Sequence, residues 1–316
     1  MKEKLQYFPI TMFAIIMGLS GLTIVFAKFH HIHWIPEWPF EIMVFLTIGL
    51  FLFFTVNYVR KAIFYFDEVS KDFKHPIRIN FFSAFSISFI LLSIAFMDYI
   101  PQLSKILWWI GTVLHTVLMF HTIKFWIQDN FEIKFMNPAW FIPVVGNILI
   151  PIAGVKYMPT DFSFIYFSIG FFFWLILFAI FLNRVVFHHQ LPQKFIPTLF
   201  ILIAPPAVGF LAYMRMTESF DYFAKFMLFI AYFFVILLMF LRKSFYKLKF
   251  FISWWAFTFP LMAITLASAT AFQTTGSDIY KYIALVLAII AVFIISLVGW
   301  KTIGRVRRGE ICVNED

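Results

Sequence analysis

Polarity along this chain changes in blocks rather than residue by residue. Ten apolar runs of about 20 residues lie at 8–27, 39–58, 77–97, 103–126, 139–157, 162–187, 195–214, 222–241, 250–272 and 279–300, separated by short charged patches. About 20 helical residues cross ~30 Å of hydrocarbon. Helix is also the element that satisfies every backbone N–H and C=O within its own segment there. The pattern predicts an all-α integral membrane protein of ten transmembrane helices. The connections leave no room for a second folded unit, so 1–316 reads as one transmembrane domain with 301–316 as its tail.

The runs differ in kind. The first carries Pro9, Gly18, Ser20 and Gly21, and the third follows Pro76 and holds Ser83, Ser86, Ser88 and Ser93. The fifth has Pro143, Gly146, Asn147, Pro151 and Gly154, and the seventh has Pro197, Pro205, Pro206 and Gly209. The ninth has Thr258, Pro260, Thr265, Ser268 and Thr270. Even-numbered runs are smoother Phe/Leu/Ile cylinders, and 222–241 contains neither Gly nor Pro. An interior proline removes an N–H and bends the helix, which neighbouring protein or a cavity can compensate; Pro143, Pro205 and Pro260 are the predicted kinks. Small residues let backbones approach, and hydroxyls find partners inside a bundle. The alternation predicts five helical hairpins, with the odd helices as a quasi-fivefold inner ring around a central pore and the even helices facing lipid. Internal repeats of this kind are frequent in transport proteins.

Composition agrees with a membrane protein: 62% hydrophobic, 13% charged, mean hydropathy +0.89. A soluble domain is about half apolar and a quarter charged. The net charge of +9 raises the question of nucleic acid, but its distribution answers it. With ten spans, 19 of the 25 Lys and Arg fall on the face that carries both termini. The positive-inside bias makes that face cytoplasmic and removes the need for a nucleic-acid partner. The single Cys312 permits no intrachain disulfide and no CxxC pair. The first run, after Lys2 and Lys4, is too long for a typical signal-peptide core and lacks a small-x-small cleavage site, so it reads as the first span.

Candidate chemistry is sparse. The odd runs carry no Asp, Glu, Lys, Arg or His over 8–27, 79–97, 139–155, 195–214 and 250–275. Coupled carriers use intramembrane ionisable residues as relays, so a neutral inner ring points to passive passage, closed by a hydrophobic constriction. The basic cytoplasmic face favours anions through its field. Thr258, Ser20, Gly21, Ser86, Asn147 and Gly209 are the candidate neighbours of the pathway. In Trp254-Trp255-Ala256-Phe257-Thr258-Phe259-Pro260 two rings, Phe257 and Phe259, stand beside the proline, and either could obstruct it. His30-His31-Ile32-His33 and His188-His189 invite a membrane metalloenzyme reading. The topology puts them on opposite faces, and His115 and His121 are six apart, off a common helical face. No metal site, cofactor or catalytic residue is therefore expected. No Walker A, GxSxG or HExxH pattern occurs. Residues 64–76 alternate aromatic and charged side chains, as an amphipathic segment in the headgroup plane would, with acidic residues in reach of Arg60, Lys61 or Arg78.

Phe66-Asp67-Glu68, His75-Pro76-Ile77-Arg78 and Trp108-Trp109-Ile110-Gly111 resemble the tellurite-resistance/C4-dicarboxylate transporter family, which includes bacterial TehA-like proteins and the plant slow-type anion channels. Trp255-Ala256-Phe257-Thr258-Phe259, with Ala267-Ser268-Ala269-Thr270-Ala271-Phe272, matches its ninth-helix motif; Asn137-Pro138 and Ala204-Pro205 match less specifically. The likeness spans the chain and is greatest to the TehA-like members. It implies ten helices in five hairpins, a pore in each protomer of a homotrimer, and passage of small monovalent anions such as chloride and nitrate. By motif the gate falls on Phe259 rather than Phe257, with Pro260 where some relatives have Gly. A bacterial inner (plasma) membrane is the implied location, with coupled export of tellurite-type or C4-dicarboxylate anions as the alternative activity.

Overall fold

The computed structural model describes residues 2–313, and all regular structure among them is helical. In chain order the α-helices are α1 (Lys2–Gln6), α2 (Phe13–His31), α3 (Trp38–Phe64), α4 (Phe66–Lys74), α5 (Ile79–Phe96), α6 (Pro101–Gln128) and α7 (Phe141–Val145). They continue as α8 (Ile150–Gly154), α9 (Thr160–Phe187), α10 (Ala204–Thr217), α11 (Tyr222–Phe240), α12 (Thr258–Thr275) and α13 (Asp278–Arg307). Among the described residues nine helical segments are long and apolar enough to span a bilayer. The protein is a multi-pass integral membrane protein. Where a fifth span is expected, Pro138–Gly154 forms a shorter apolar segment.

Prolines explain why that segment is broken. Pro143 and Pro151 cannot donate to the carbonyls of Ala139 and Asn147, four residues earlier. The chain passes through a 3-10 turn at Pro138–Trp140, α7, a second 3-10 turn at Gly146–Leu149, and α8. Pro205 and Pro260 act differently. Each lies in the first turn of an α-helix, where a missing N–H is tolerated. The 3-10 stretches Gln193–Ile203 and Ile252–Phe257 lead into α10 and α12 at these points. Eleven residues of 3-10 helix is long for that conformation.

Burial separates two populations. The spans containing α2, α5, α10 and α12 are 72, 83, 67 and 72% buried, whereas α3, α6, α9, α11 and α13 are 22, 33, 28, 33 and 33% buried. Residues 138–145 and 147–154 are buried throughout. Each buried element packs on its successor: α2 on α3, α5 on α6, α7 and α8 on α9, α10 on α11, α12 on α13. The buried elements also pack on one another, α2 on α5, α5 on α7, α8 on α10, α10 on α12 and α12 on α2. Gly18 makes the last of these contacts possible. A Cβ there would stand 2.1 Å from the Thr258 hydroxyl oxygen, so only a bare backbone allows α2 and α12 this approach.

The tail begins inside α13, which runs to Arg307. Residues 314–316 of the stretch assigned to the tail lie outside the described residues.

Candidate functional site

Two cavities follow the line where the buried elements meet. The wider has a volume of about 340 Å³ and opens between the α3–α4 region, the start of α5, Lys194 and Glu310. Its mouth is ionic, with Lys61, Arg78 and Lys194 beside Glu68, Asp72 and Glu310. Deeper, Ala14, Met17, Ile87, Val145, Ala204 and Phe259 line it. The second cavity has about 20 Å³, room for one water by volume, and its lining is wholly apolar. Gly21 and Ile24 of α2, Leu91 and Ile94 of α5, Leu149 and Ile152, Val208 and Leu211 of α10, and Met262 and Leu266 of α12 enclose it.

Phe259 belongs to both linings. It is the second residue of α12, half-buried between buried Thr258 and Pro260. Its ring lies over Gly21, where an added Cβ would meet Met262 Cβ at 2.9 Å and Phe259 Cδ2 at 3.4 Å. Glycine at 21 is what admits Met262 of α12 this close to α2, and the Phe259 ring stands over the same spot. Phe257 is placed elsewhere, 7% exposed and packed edge-on against Phe200 at 4.7 Å and Phe245 at 5.9 Å. The two phenylalanines of the proline-flanked stretch thus face different surroundings, and the cavity side holds Phe259.

A profile of the SLAC1 family, described as voltage-dependent anion channels, matches residues 7–303. This chain belongs to that family. It is a family of anion channels, not of enzymes. The plant S-type anion channel SLAH3 of Arabidopsis thaliana is 29% identical over 300 residues, 90% of this chain and 47% of its own length. The tellurite resistance protein TehA homolog of Haemophilus influenzae is 23% identical over 307 residues, 96% of this chain and 92% of its own length. An uncharacterized transporter of Methanocaldococcus jannaschii is 26% identical over 342 residues, 98% of both chains. The chain spans about half the length of the first plant relatives it matches.

The other candidate residues occupy distinct places around the cavities. Gly21 lines the small one. Ser20, Ser86, Asn147 and Thr258 are fully buried behind the lining. Thr258 Oγ1 donates to the Trp255 carbonyl at 2.7 Å, toward α2. Asn147 Nδ2 donates to the Val144 carbonyl at 2.7 Å. Ser86 Oγ donates to the Ser83 carbonyl at 2.9 Å and pairs with His115 Nδ1 at 2.9 Å. Gly209 lies against Met227 of α11, whose Sδ a Cβ would meet at 3.0 Å. Short polar side chains on a membrane helix bond back to their own turn or to a neighbouring helix. Apart from Gly21 and Phe259, which the sequence singled out, the small cavity's lining falls to apolar neighbours of the other candidates, which sequence reasoning passed over. Their signal was present as an i, i+3/i+4 succession on each odd run, such as Met17, Gly21 and Ile24.

The motifs have local reasons. Trp108, fully buried, donates Nε1 to the Ile150 carbonyl at 2.9 Å and ties α6 to the broken segment. Gly111 lets α6 close on α5, since a Cβ would lie 3.0 Å from the Ile90 backbone nitrogen. His75 Nδ1 accepts from the Ile77 and Arg78 amides at 3.1 and 3.2 Å, fixing the turn into α5. Asp72, on the amphipathic α4, is buried and accepts from Lys61 Nζ at 2.8 Å and Arg78 Nη1 at 3.3 Å. Lys61 also donates to the Phe8 carbonyl at 3.0 Å. These bonds fix α4 across the base of α2, α3 and α5, beside the wide cavity. Among the described residues no three His, Cys, Asp or Glu side chains converge as a metal site would require. His188 and His189 are exposed, and His121 stands edge-on to Phe73.

Proposed function

We propose that this protein is a passive channel for small monovalent anions, chloride and nitrate among them, and that Phe259 is its gate. On this reading the five buried segments form the inner ring of five helical hairpins, with Pro138–Gly154 as the fifth of ten spans. The two cavities are the halves of one pore. The observation that carries the reading is the position of Phe259, shared by both linings. An anion passing an apolar constriction loses hydration with nothing to replace it, so a ring and its apolar surroundings close the path without charge. The mouth with mixed charges is the cytoplasmic one, with both termini on that side, where the surrounding excess of Lys and Arg favours anions through its field. A homotrimer in a bacterial inner membrane completes the proposal, supported by family resemblance.

The competing reading is coupled export of tellurite-type or C4-dicarboxylate anions, and the Haemophilus relative is named for tellurite resistance. Coupling needs an ionisable relay, and the lining between the two mouths is built from neutral side chains. Phe259→Ala in a planar bilayer with opposed chloride and proton gradients separates the two. A channel gives a reversal potential that follows chloride; current that follows protons would support the exporter and sink the gate.

A further inference from the structure

The pore-lining residues nearest the outer end of each inner segment are Ile24, Ile94, Ile152, Leu211 and Leu266. One helical turn beyond the first four, at i+4, stand Lys28, Asp98, Lys156 and Arg215; two turns beyond Leu266, at i+7, stands Gln273. Lys28, Arg215 and Gln273 share a helical face with the lining residues of α2, α10 and α12, and Asp98 and Lys156 stand in the turns that follow α5 and α8. Three of the six Lys and Arg assigned to the outer face thus stand at the same end of the inner segments, beyond the small cavity.

Their contacts cross between segments. Lys28 Nζ donates to Gln273 Oε1, joining α2 to α12. Lys156 Nζ pairs with Asp98 Oδ1 and donates to the Met97 carbonyl at 3.2 Å, joining the end of α8 to the end of α5. Arg215 Nη2 lies 3.0 Å from Met97 Sδ. It reaches from α10 to the turn that follows α5, while α8 packs on both of these helices. Lys28 is within electrostatic range of Arg215 and Asp98. The one carboxylate of the group is engaged by Lys156. Lys28 is left with a neutral amide and Arg215 with a thioether, a weak acceptor.

We propose that Lys28 and Arg215 form an outer anion-binding site, with Lys156–Asp98 and Gln273 completing its rim, that holds one monovalent inorganic anion above the apolar pore. The inference rests on the channel reading and names where an anion waits before dehydrating. Two neighbouring cations with only neutral hydrogen-bond partners raise the local anion concentration most at low ionic strength. Asp98 sets the limit, because neutralising it frees Lys156 to add to the same field.

The test has two arms, so that failure of the gate and failure of the site are told apart. In the Phe259→Ala background, chloride entry from the outer side is measured in planar bilayers as chloride is raised. Lys28→Gln/Arg215→Gln is expected to lower conductance about tenfold at low salt, the lower end of focusing by charged clefts. The effect should vanish near 1 M, where screening shortens to about 3 Å. Asp98→Asn should change conductance in the opposite direction, which general damage to the fold would not do. The second arm needs no open gate: bromide is located by anomalous scattering in crystals of the otherwise unaltered protein. Bromide between Lys28 and Arg215, lost in the double variant, supports the site. No bromide there, or conducting channels whose low-salt conductance ignores all three substitutions, overturns it. A closed Phe259→Ala channel with bromide bound would count against the gate alone.

Discussion

Asp72 shows how much one side chain can carry at the ionic mouth of the wide cavity. It is buried on α4 with Lys61 and Arg78 as partners, and Lys61 has side-chain exposure of only 4%. Removing one member of a buried pair leaves the other charged and unsatisfied, which costs about 3–5 kcal/mol. Asp72→Leu is therefore expected to lower the thermal stability of the detergent-solubilised protein by roughly that amount. Lys61→Met/Asp72→Leu should recover part of it, because no buried charge then stands alone. Equal losses in the single and double variants would show that the pair does not hold α4. At this scale the sequence was partly legible. The reach of Asp72 to Lys61 or Arg78 followed from proximity in the chain, but its burial did not, since a short amphipathic helix looks the same on a headgroup plane or against protein. Phe259 had the same ambiguity: two rings flanked one proline, and a family motif was needed to choose between them. The structure separates them by what each ring touches.

Among elements, small residues and caps decide how closely helices approach and where they begin. Gly18 faces Thr258 across α2 and α12 with no space for a Cβ. Gly18→Ala should force the helices apart and cost about 1–3 kcal/mol, the usual scale of overpacking, read as a lower melting temperature. An unchanged melting temperature would mean that α12 yields without cost. Asp221 caps α11, accepting from the Phe223 and Ala224 amides at 3.0 Å through Oδ1 and from the Tyr213 hydroxyl at 2.6 Å through Oδ2. The Tyr213 hydrogen bond, with those amides, holds its carboxyl below the usual carboxylate range. A depressed folded-state value means the contribution is present above about pH 4 and is lost as pH falls through the lower folded value. Asp221→Ala should thus melt earlier than the unaltered protein at neutral pH, and the gap should close on acidification below that range. A gap that is constant with pH would assign the effect to packing. The alternation of broken and smooth spans was readable because prolines, glycines and hydroxyls cannot be spread at random through lipid-facing helices. Which residues line the cavities was not readable to the same degree. Hydrophobic periodicity fixes no rotation in a helix that is apolar all round, and the Ser86 and Thr258 hydroxyls that suggested a lining bond back to carbonyls three residues earlier.

For the whole molecule, the proposed pathway orders the parts as an ionic vestibule, an apolar constriction at Phe259 and Gly21, a small apolar chamber, and an outer rim carrying Lys28 and Arg215. Nothing in this path asks for a second substrate or a relay, and membership of an anion-channel family fits it. The central claim is that one ring separates the two halves of the pore. Its most direct measurement is chloride conductance across planar bilayers for the series Phe259→Leu, Phe259→Val and Phe259→Ala, under matched protein incorporation. Conductance is expected to rise stepwise as the side chain shrinks, with the reversal potential tracking the chloride gradient throughout. Conductance that stays at the level of the unaltered protein through Phe259→Ala, in protein shown to be folded, would contradict it.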